Sequence, residues 1–191
     1  GQVEGDASLH YGAPEVRTNA ALLDAVRAAN ADAYIVFKPH PDVVTGNRDG
    51  AVDKAVLDRC VNETIKDADI IDCLDAVDEV HTMTSLTGFE ALLREVPVTT
   101  YGMPFYGGWG LTADRLGPWE RRGSKVPLDG LVYGLLCVYG RYVAWPEGCS
   151  TSPEVVVAAI RAEAAAGPRR KPSRTRSLYL KVRHLAEVLL G

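Results

Sequence analysis

Apolar residues along the chain switch repeatedly between helical spacing and short continuous runs. From Thr18, "TNAALLDAVRAAN" sets Ala21, Leu22, Ala25 and Val26 at helical spacing behind a Thr/Asn cap, which predicts an amphipathic helix. "DAYIVFKPH" follows as an unbroken apolar run, the pattern of a strand buried on both faces of a parallel sheet. "DGAVDKAVLDRCV" predicts a second helix, capped by Asp49. "DADIIDCLDAVDEVHTMTS" predicts a short helix or turn and then a strand from Glu79 to Met83. "SLTGFEALLREV" reads as a helix and "PVTTYG" as a strand. Strands alternating with helices in this way predict a doubly wound parallel α/β sheet.

Beyond Gly102 the pattern changes. "MPFYGGWGLTADRLGPWERRGSK" is rich in Gly, Pro and aromatics and predicts a long loop of the kind that carries function. "LDGLVYGLLCVYGRYV" predicts one helix. "TSPEVVVAAIRAEAAA" predicts another, with Ser152 as cap and Pro153 at the first helical position. "GPRRKPSRTR" reads as a basic linker and "SLYLKVRHLAEVLL" as a final amphipathic helix. The expected organisation is one domain over 1–167, then a linker and helix over 168–191.

The 191 residues are 47% hydrophobic and 24% charged, enough for one core. A net charge of −4 supplies no basic field for nucleic acid. No apolar run reaches the length of a membrane span. The opening "GQVEGDASLH" has neither the basic nor the apolar region of a signal peptide and begins inside what reads as a motif, so a piece of a longer protein is expected. Cys60, Cys73, Cys137 and Cys149 form no CxxC pair, which predicts neither a zinc site nor a disulfide framework and suits a reducing cytoplasm.

Four stretches carry candidate chemistry. In "IVFKPHPDVVTG", Lys38 and His40 stand where a parallel strand ends, the edge at which α/β sheets bind ligands. Pro39 and Pro41 fix the backbone around them, so a cation and an imidazole project reproducibly toward a phosphate. The alternative is a histidine that only caps the strand. In "HTMTSLTGFEALL", Thr82, Thr84, Ser85 and Thr87 bridge a strand end and a helix start, an arrangement that serves an anion or plain N-capping by Ser85. Glu90 on the same helix is placed either to accept from ribose hydroxyls or to lie on a solvated face.

"GQVEGDAS" offers Gln2, Glu4 and Asp6 around a glycine, a set suited to a general base, nucleophile or orienting acid, or to a polar surface turn. In "YGMPFYGGWGLTADR", Gly107, Gly108 and Gly110 allow a tight fold that leaves Phe105, Tyr106 and Trp109 to line a wall for a base or sugar, or to pack on one another.

Together "GQVEGDAS", "TNAALLDAVRAANADAYIVFKPHPDVVTGNRDG", "DEVHTMTSLTGFEALLREVPVTTYGMPFYGGWGLTADR" and "YGRYVAWPEGCSTSPE" resemble the capsule polysaccharide biosynthesis family, whose members include retaining β-Kdo glycosyltransferases. The resemblance implies one Rossmann-like half of a GT-B glycosyltransferase, the donor-binding half, with CMP-Kdo as donor and a lipid-linked Kdo chain as acceptor. It implies that His40-Pro41, with Lys38, contacts the CMP phosphate, that Thr84, Ser85 and Thr87 complete the phosphate cradle, and that Glu90 holds the ribose. Trp109 joins the donor site. Asp6 becomes the first catalytic candidate, with Glu4 second and Gln2 beside them. No metal and no cofactor beyond the donor are expected. The expected partners are an N-terminal GT-B half absent from this chain and the capsule export machinery, with no nucleic acid. The expected location is cytoplasmic, including the periphery of the inner membrane. The alternative from another class is a non-catalytic α/β nucleotide-binding or assembly module.

Overall fold

A computed structural model of the chain describes residues 1–117, 119–144 and 148–166. The chain divides into two compact units, Gly1–Tyr133 and Gly134–Gly191. The linker and helix expected over 168–191 lie outside the described residues.

The first unit alternates helices and strands as expected. It runs α1 (Ala7–Gly12), α2 (Asn19–Ala29), β1 (Val36–Phe37), α3 (Pro41–Val44), α4 (Lys54–Cys60) and β2 (Glu63–Thr64). It continues with α5 (Ile70–Leu74), β3 (Val80–Thr82), α6 (Leu86–Leu92), β4 (Val98–Thr100), β5 (Ala113–Asp114) and α7 (Leu128–Tyr133). β1 pairs in parallel with β2, Val36 opposite Glu63. β3, β4 and β5 form a second parallel set in that order, with His81 opposite Thr99 and Thr100 opposite Asp114. β1 is much shorter than its apolar run. Pro39 and Pro41 have no N–H to give a ladder, so pairing stops before them.

Helix α2 is the centre of the packing. Thr18 caps it by accepting from the Ala21 N–H at 3.1 Å. One side sends Leu22 and Val26 into a core with Leu9, Ala13, Ile35, Met83 and Tyr101. Leu23 points into a second cluster with Phe37 and Cys60. Each fully buried Leu, Val, Ile, Phe or Met side chain among these contributes about 1.5–3 kcal/mol relative to exposure. Outside the clusters, Arg59 binds both oxygens of Asp24 at 2.7 and 2.9 Å and ties α4 to α2.

Two expectations need correction. The cap of α4 is Asp53, not Asp49. Gly50 delays the helix: it sits at φ +133°, where a Cβ would come within 2.7 Å of the Gln2 carbonyl. The segment from Leu128 to Val143 is not one helix. α7 ends at Tyr133, Gly134–Tyr139 is a π-helical turn, and β6 (Tyr142–Val143) follows. Glycines at 130, 134 and 140 lower helix propensity through this stretch.

Within the second unit, β6 pairs antiparallel with β7 (Ser150–Thr151), and α8 (Pro153–Ala165) starts behind Ser152 as expected.

Candidate functional site

The site is built where the chain leaves β1 and β3, and residues 1 and 2 reach both ends. Gly1 N donates to the Lys38 carbonyl at 2.8 Å. The Gln2 side chain spans to the other strand: its Nε2 donates to Thr84 Oγ1 at 3.0 Å, and its Oε1 accepts from the Thr84 N–H at 2.9 Å. Gln2 is 8% exposed, and both ends of its amide are engaged. It acts as a brace between two loops.

Asn19 fixes the same loop from beneath. It is 1% exposed, accepts from the Gln2 N–H at 2.8 Å, and donates from Nδ2 to the Gln2 and Gly50 carbonyls, both at 2.8 Å. Its own N–H, at the open end of α2, donates to Glu4 Oε1 at 2.7 Å. The Glu4 carboxylate therefore satisfies a helix-terminal donor and complements the positive end of the dipole. Asp6 is different. It is the N-cap residue of α1 but its side chain makes no cap hydrogen bond; the carboxylate is half-exposed and accepts from Arg48 Nη2 at 2.7 Å.

On the β1 side, His40 is the N-cap of α3, and its Nδ1 accepts from the Asp42 N–H at 3.2 Å. An accepting Nδ1 leaves the proton of the neutral ring on Nε2, which is then the nitrogen able to donate to a ligand. The two readings of His40, cap and ligand donor, use different nitrogens and coexist. Lys38 Nζ donates to the Ala68 carbonyl at 2.6 Å, which spends one of its three donors.

On the β3 side, Ser85 caps α6. Its Oγ accepts from the Thr87 N–H at 3.2 Å and donates to Thr87 Oγ1 at 3.2 Å, while Thr82 Oγ1 accepts from the Ser85 N–H at 3.4 Å. Among the described residues no hydrogen bond joins Lys38 or His40 to these hydroxyls. The Glu90 side chain is partly buried on α6 and makes no hydrogen bond or ion pair among them.

In the aromatic loop Tyr106 follows the second of the two alternatives, aromatics packed on one another. Tyr106 does not line a wall: it is fully buried, and its hydroxyl donates to the Ser85 carbonyl. Burial pushes its phenol well above the ordinary range, so it stays a donor. Gly88 makes the room, since a Cβ there would meet Tyr106 Oη at 2.2 Å. Phe105 is 37% exposed and packs edge-on to Tyr106. Trp109 is partly buried, and its Nε1 donates to the Phe105 carbonyl at 2.8 Å. Arg122 lies over the Trp109 and Trp119 rings, 5.6 and 4.9 Å from their centroids, and donates to the Gly107 carbonyl at 2.8 Å. Gly108 and Gly110 take positive φ, as the tight fold requires, and Asp114 accepts from the Gly108 N–H at 2.9 Å. The loop is a built object hung beneath the start of α6.

Asn19 and Arg48 are the residues that sequence reasoning misses: Asn19 reads only as part of a cap, and no motif gives Arg48 a role.

The family model of the capsule polysaccharide biosynthesis protein matches residues 1–130, which hold every one of these loops. The chain belongs to that family. The capsule polysaccharide modification protein LipA of Neisseria meningitidis serogroup A is 53% identical over 143 residues, 75% of this chain and 20% of LipA. The lipopolysaccharide-processing protein LpsZ of Rhizobium meliloti is 38% identical over 169 residues, 88% of this chain and 38% of LpsZ. Two solved structures of KpsC from Thermosulfurimonas dismutans share the fold. The β-Kdo 2,7 transferase has a TM-score of 0.77 and 42% identity over 86% of this chain and 53% of its own. The β-Kdo 2,4 transferase has a TM-score of 0.70 and 30% identity over 83% and 49%. This family member is thus a Rossmann-like half of the GT-B architecture and spans about half of those transferases and a fifth of LipA.

Among the described residues no helix is long and apolar enough to cross a membrane, and no cluster of three His, Cys, Asp or Glu is placed to hold a metal ion.

Proposed function

We propose that this chain is the donor-binding half of a glycosyltransferase that moves Kdo from CMP-Kdo to a lipid-linked Kdo acceptor in capsule assembly. The observation that carries the reading is the Gln2–Thr84 brace. It couples the loop bearing Asp6 to the turn bearing Ser85 and Thr87, so a donor phosphate held at the turn keeps its sugar within a fixed frame of the carboxylate.

In this reading His40 Nε2, the Ser85 and Thr87 hydroxyls and Lys38 meet the departing phosphate, and no metal is needed. Glu90 holds the ribose hydroxyls, and Trp109 borders the base or sugar. Asp6, whose carboxylate reaches solvent, serves the reacting anomeric centre as base or nucleophile. Glu4 and Gln2 keep that loop in place. The acceptor comes from a second GT-B half, because orienting two reactants can supply about 7–11 kcal/mol of barrier reduction and one half holds only one of them. The assembled enzyme works on the cytoplasmic side, at the periphery of the inner membrane, and hands its product to the export machinery.

The test is product analysis by mass spectrometry after incubation with CMP-Kdo and a Kdo-primed acceptor. A longer protein carrying this chain adds Kdo, its Asp6→Asn variant does not, and the 191-residue chain alone adds none. Transfer by the isolated chain overturns the half-enzyme reading. An active Asp6→Asn enzyme removes Asp6 from catalysis.

A further inference from the structure

We infer that Arg48 is the residue that reads the carboxylate of the donor's sugar, and so selects a 2-keto sugar acid over a neutral sugar. This inference rests on the donor site proposed above and adds a specificity role to it.

Three features single out Arg48. Its guanidinium spends one donor on Asp6, from Nη2 to Oδ1 at 2.7 Å, and makes no other side-chain hydrogen bond among the described residues. An arginine fork has five N–H donors, so one edge remains open for a bidentate carboxylate. The side chain is half-exposed, so a ligand can reach that edge.

Its backbone is tied down at its own N–H and through the carbonyls of the two residues that follow it. Arg48 N donates to the Asp42 carbonyl at 3.2 Å, in the helix that His40 caps. Next to it, the Asp49 carbonyl accepts from the Glu4 N–H at 3.1 Å. The Gly50 carbonyl accepts from buried Asn19, which also holds both backbone groups of Gln2. The segment carrying the arginine is thereby locked to the segment carrying Asp6. Such locking is what a recognition group needs, because little ordering remains to be done when the ligand arrives.

The chemistry of a 2-keto sugar acid asks for this placement. Its carboxylate is bonded to the same anomeric carbon from which the phosphate departs. The cation for the carboxylate must therefore sit beside both the phosphate donors and the catalytic acid. Arg48 follows the helix capped by His40 and touches Asp6. It also answers a repulsion, since Asp6 must approach a carbon that already bears a negative group. A guanidinium shared between the two carboxylates offsets that like-charge contact. A neutral sugar has nothing to offer the open edge and leaves the charge on Asp6 alone.

The experiment is calorimetry on the 191-residue chain with CMP and with CMP-Kdo, for wild type, Arg48→Gln and Arg48→Lys. Wild type is expected to bind CMP-Kdo about tenfold or more tighter than CMP, the range for a charge-assisted bond. Arg48→Gln should keep the CMP affinity and lose the preference, and Arg48→Lys should regain part of it, because an ammonium lacks the planar fork. Unchanged CMP affinity shows that the variant is folded. An Arg48→Gln chain that still prefers CMP-Kdo overturns the inference. If wild type does not bind CMP, the donor-site reading has failed, and Arg48 is then judged by saturation-transfer NMR with free Kdo against its methyl ester. A Kdo signal that is absent with the ester and lost in Arg48→Gln supports the inference. Equal signals, or none in wild type, overturn it.

Discussion

The Gln2 side chain closes a two-point contact on Thr84, giving a hydrogen to its hydroxyl at 3.0 Å and taking one from its N–H at 2.9 Å, across eighty-two positions of sequence. No other side chain among the described residues joins these two loops by a pair of bonds to one residue. Gln2→Ala strands the Thr84 donor in a partly buried setting and should destabilise the chain by about 1–3 kcal/mol. Urea unfolding at constant m-value checks this. An unchanged midpoint shows that water replaces the amide without cost.

Gly88 and Tyr106 form a second dependence of the same kind. Gly88→Ala would press a methyl against the phenol at 2.2 Å, and Tyr106 has no open side to move to. A loss of about 1–3 kcal/mol is expected, as for other overpacked cores. The double variant Gly88→Ala/Tyr106→Phe should recover part of that loss, because removing the hydroxyl relieves the nearest contact and leaves the ring carbons, at 2.6 Å, still crowded. Thermal unfolding of the three variants gives the coupling. Strict additivity would separate the two residues.

His81 predicts a pH dependence. Burial holds its imidazole below the ordinary value, Glu79 works the other way, and Arg115 adds to the depression. Glu79 lies 3.5 Å from Nε2, and the Tyr101 hydroxyl lies 3.4 Å from Nδ1. A base with a depressed folded pKa is protonated first in the unfolded chain as the pH falls. Its contribution is therefore intact above about pH 6.5 and is lost as the pH drops below that value toward the folded pKa. His81→Gln should flatten the stability profile between pH 7 and 5 relative to wild type. Parallel profiles for the two proteins would show that the ring titrates alike in both states.

The sequence was most legible where a pattern is local. α2, α6 and α8 were readable because apolar spacing and a hydroxyl cap occur within one short window, and the Thr18 and Ser85 caps hold in the structure. β2 and β5 were not, since Glu63–Thr64 and Ala113–Asp114 are two-residue pairs with no apolar run, and they become strands only beside β1 and β4. α1 was missed because "ASLHYG" is too short to show a period. The same division applies to the site. Asp6, His40 and Ser85 stood out by residue type and motif, whereas the part played by Asn19 depends on the Gln2 and Gly50 loops meeting over it. For Tyr106 the sequence allows either a wall or a self-packed loop, and the choice between them depends on the space that Gly88 leaves underneath α6.

In the function proposed, this chain holds a cytidine nucleotide between the end of β1 and the start of α6, with His40 Nε2 on the phosphate. Isothermal calorimetry of the 191-residue chain with CMP, UMP and AMP, repeated on His40→Ala, tests it most directly. Heat with CMP in preference to UMP and AMP is expected, with a loss of about 1.5–3 kcal/mol of CMP binding in the variant, the range for a hydrogen bond to a charged group. Equal CMP affinity in wild type and His40→Ala, or no preference among the three nucleotides, would contradict it.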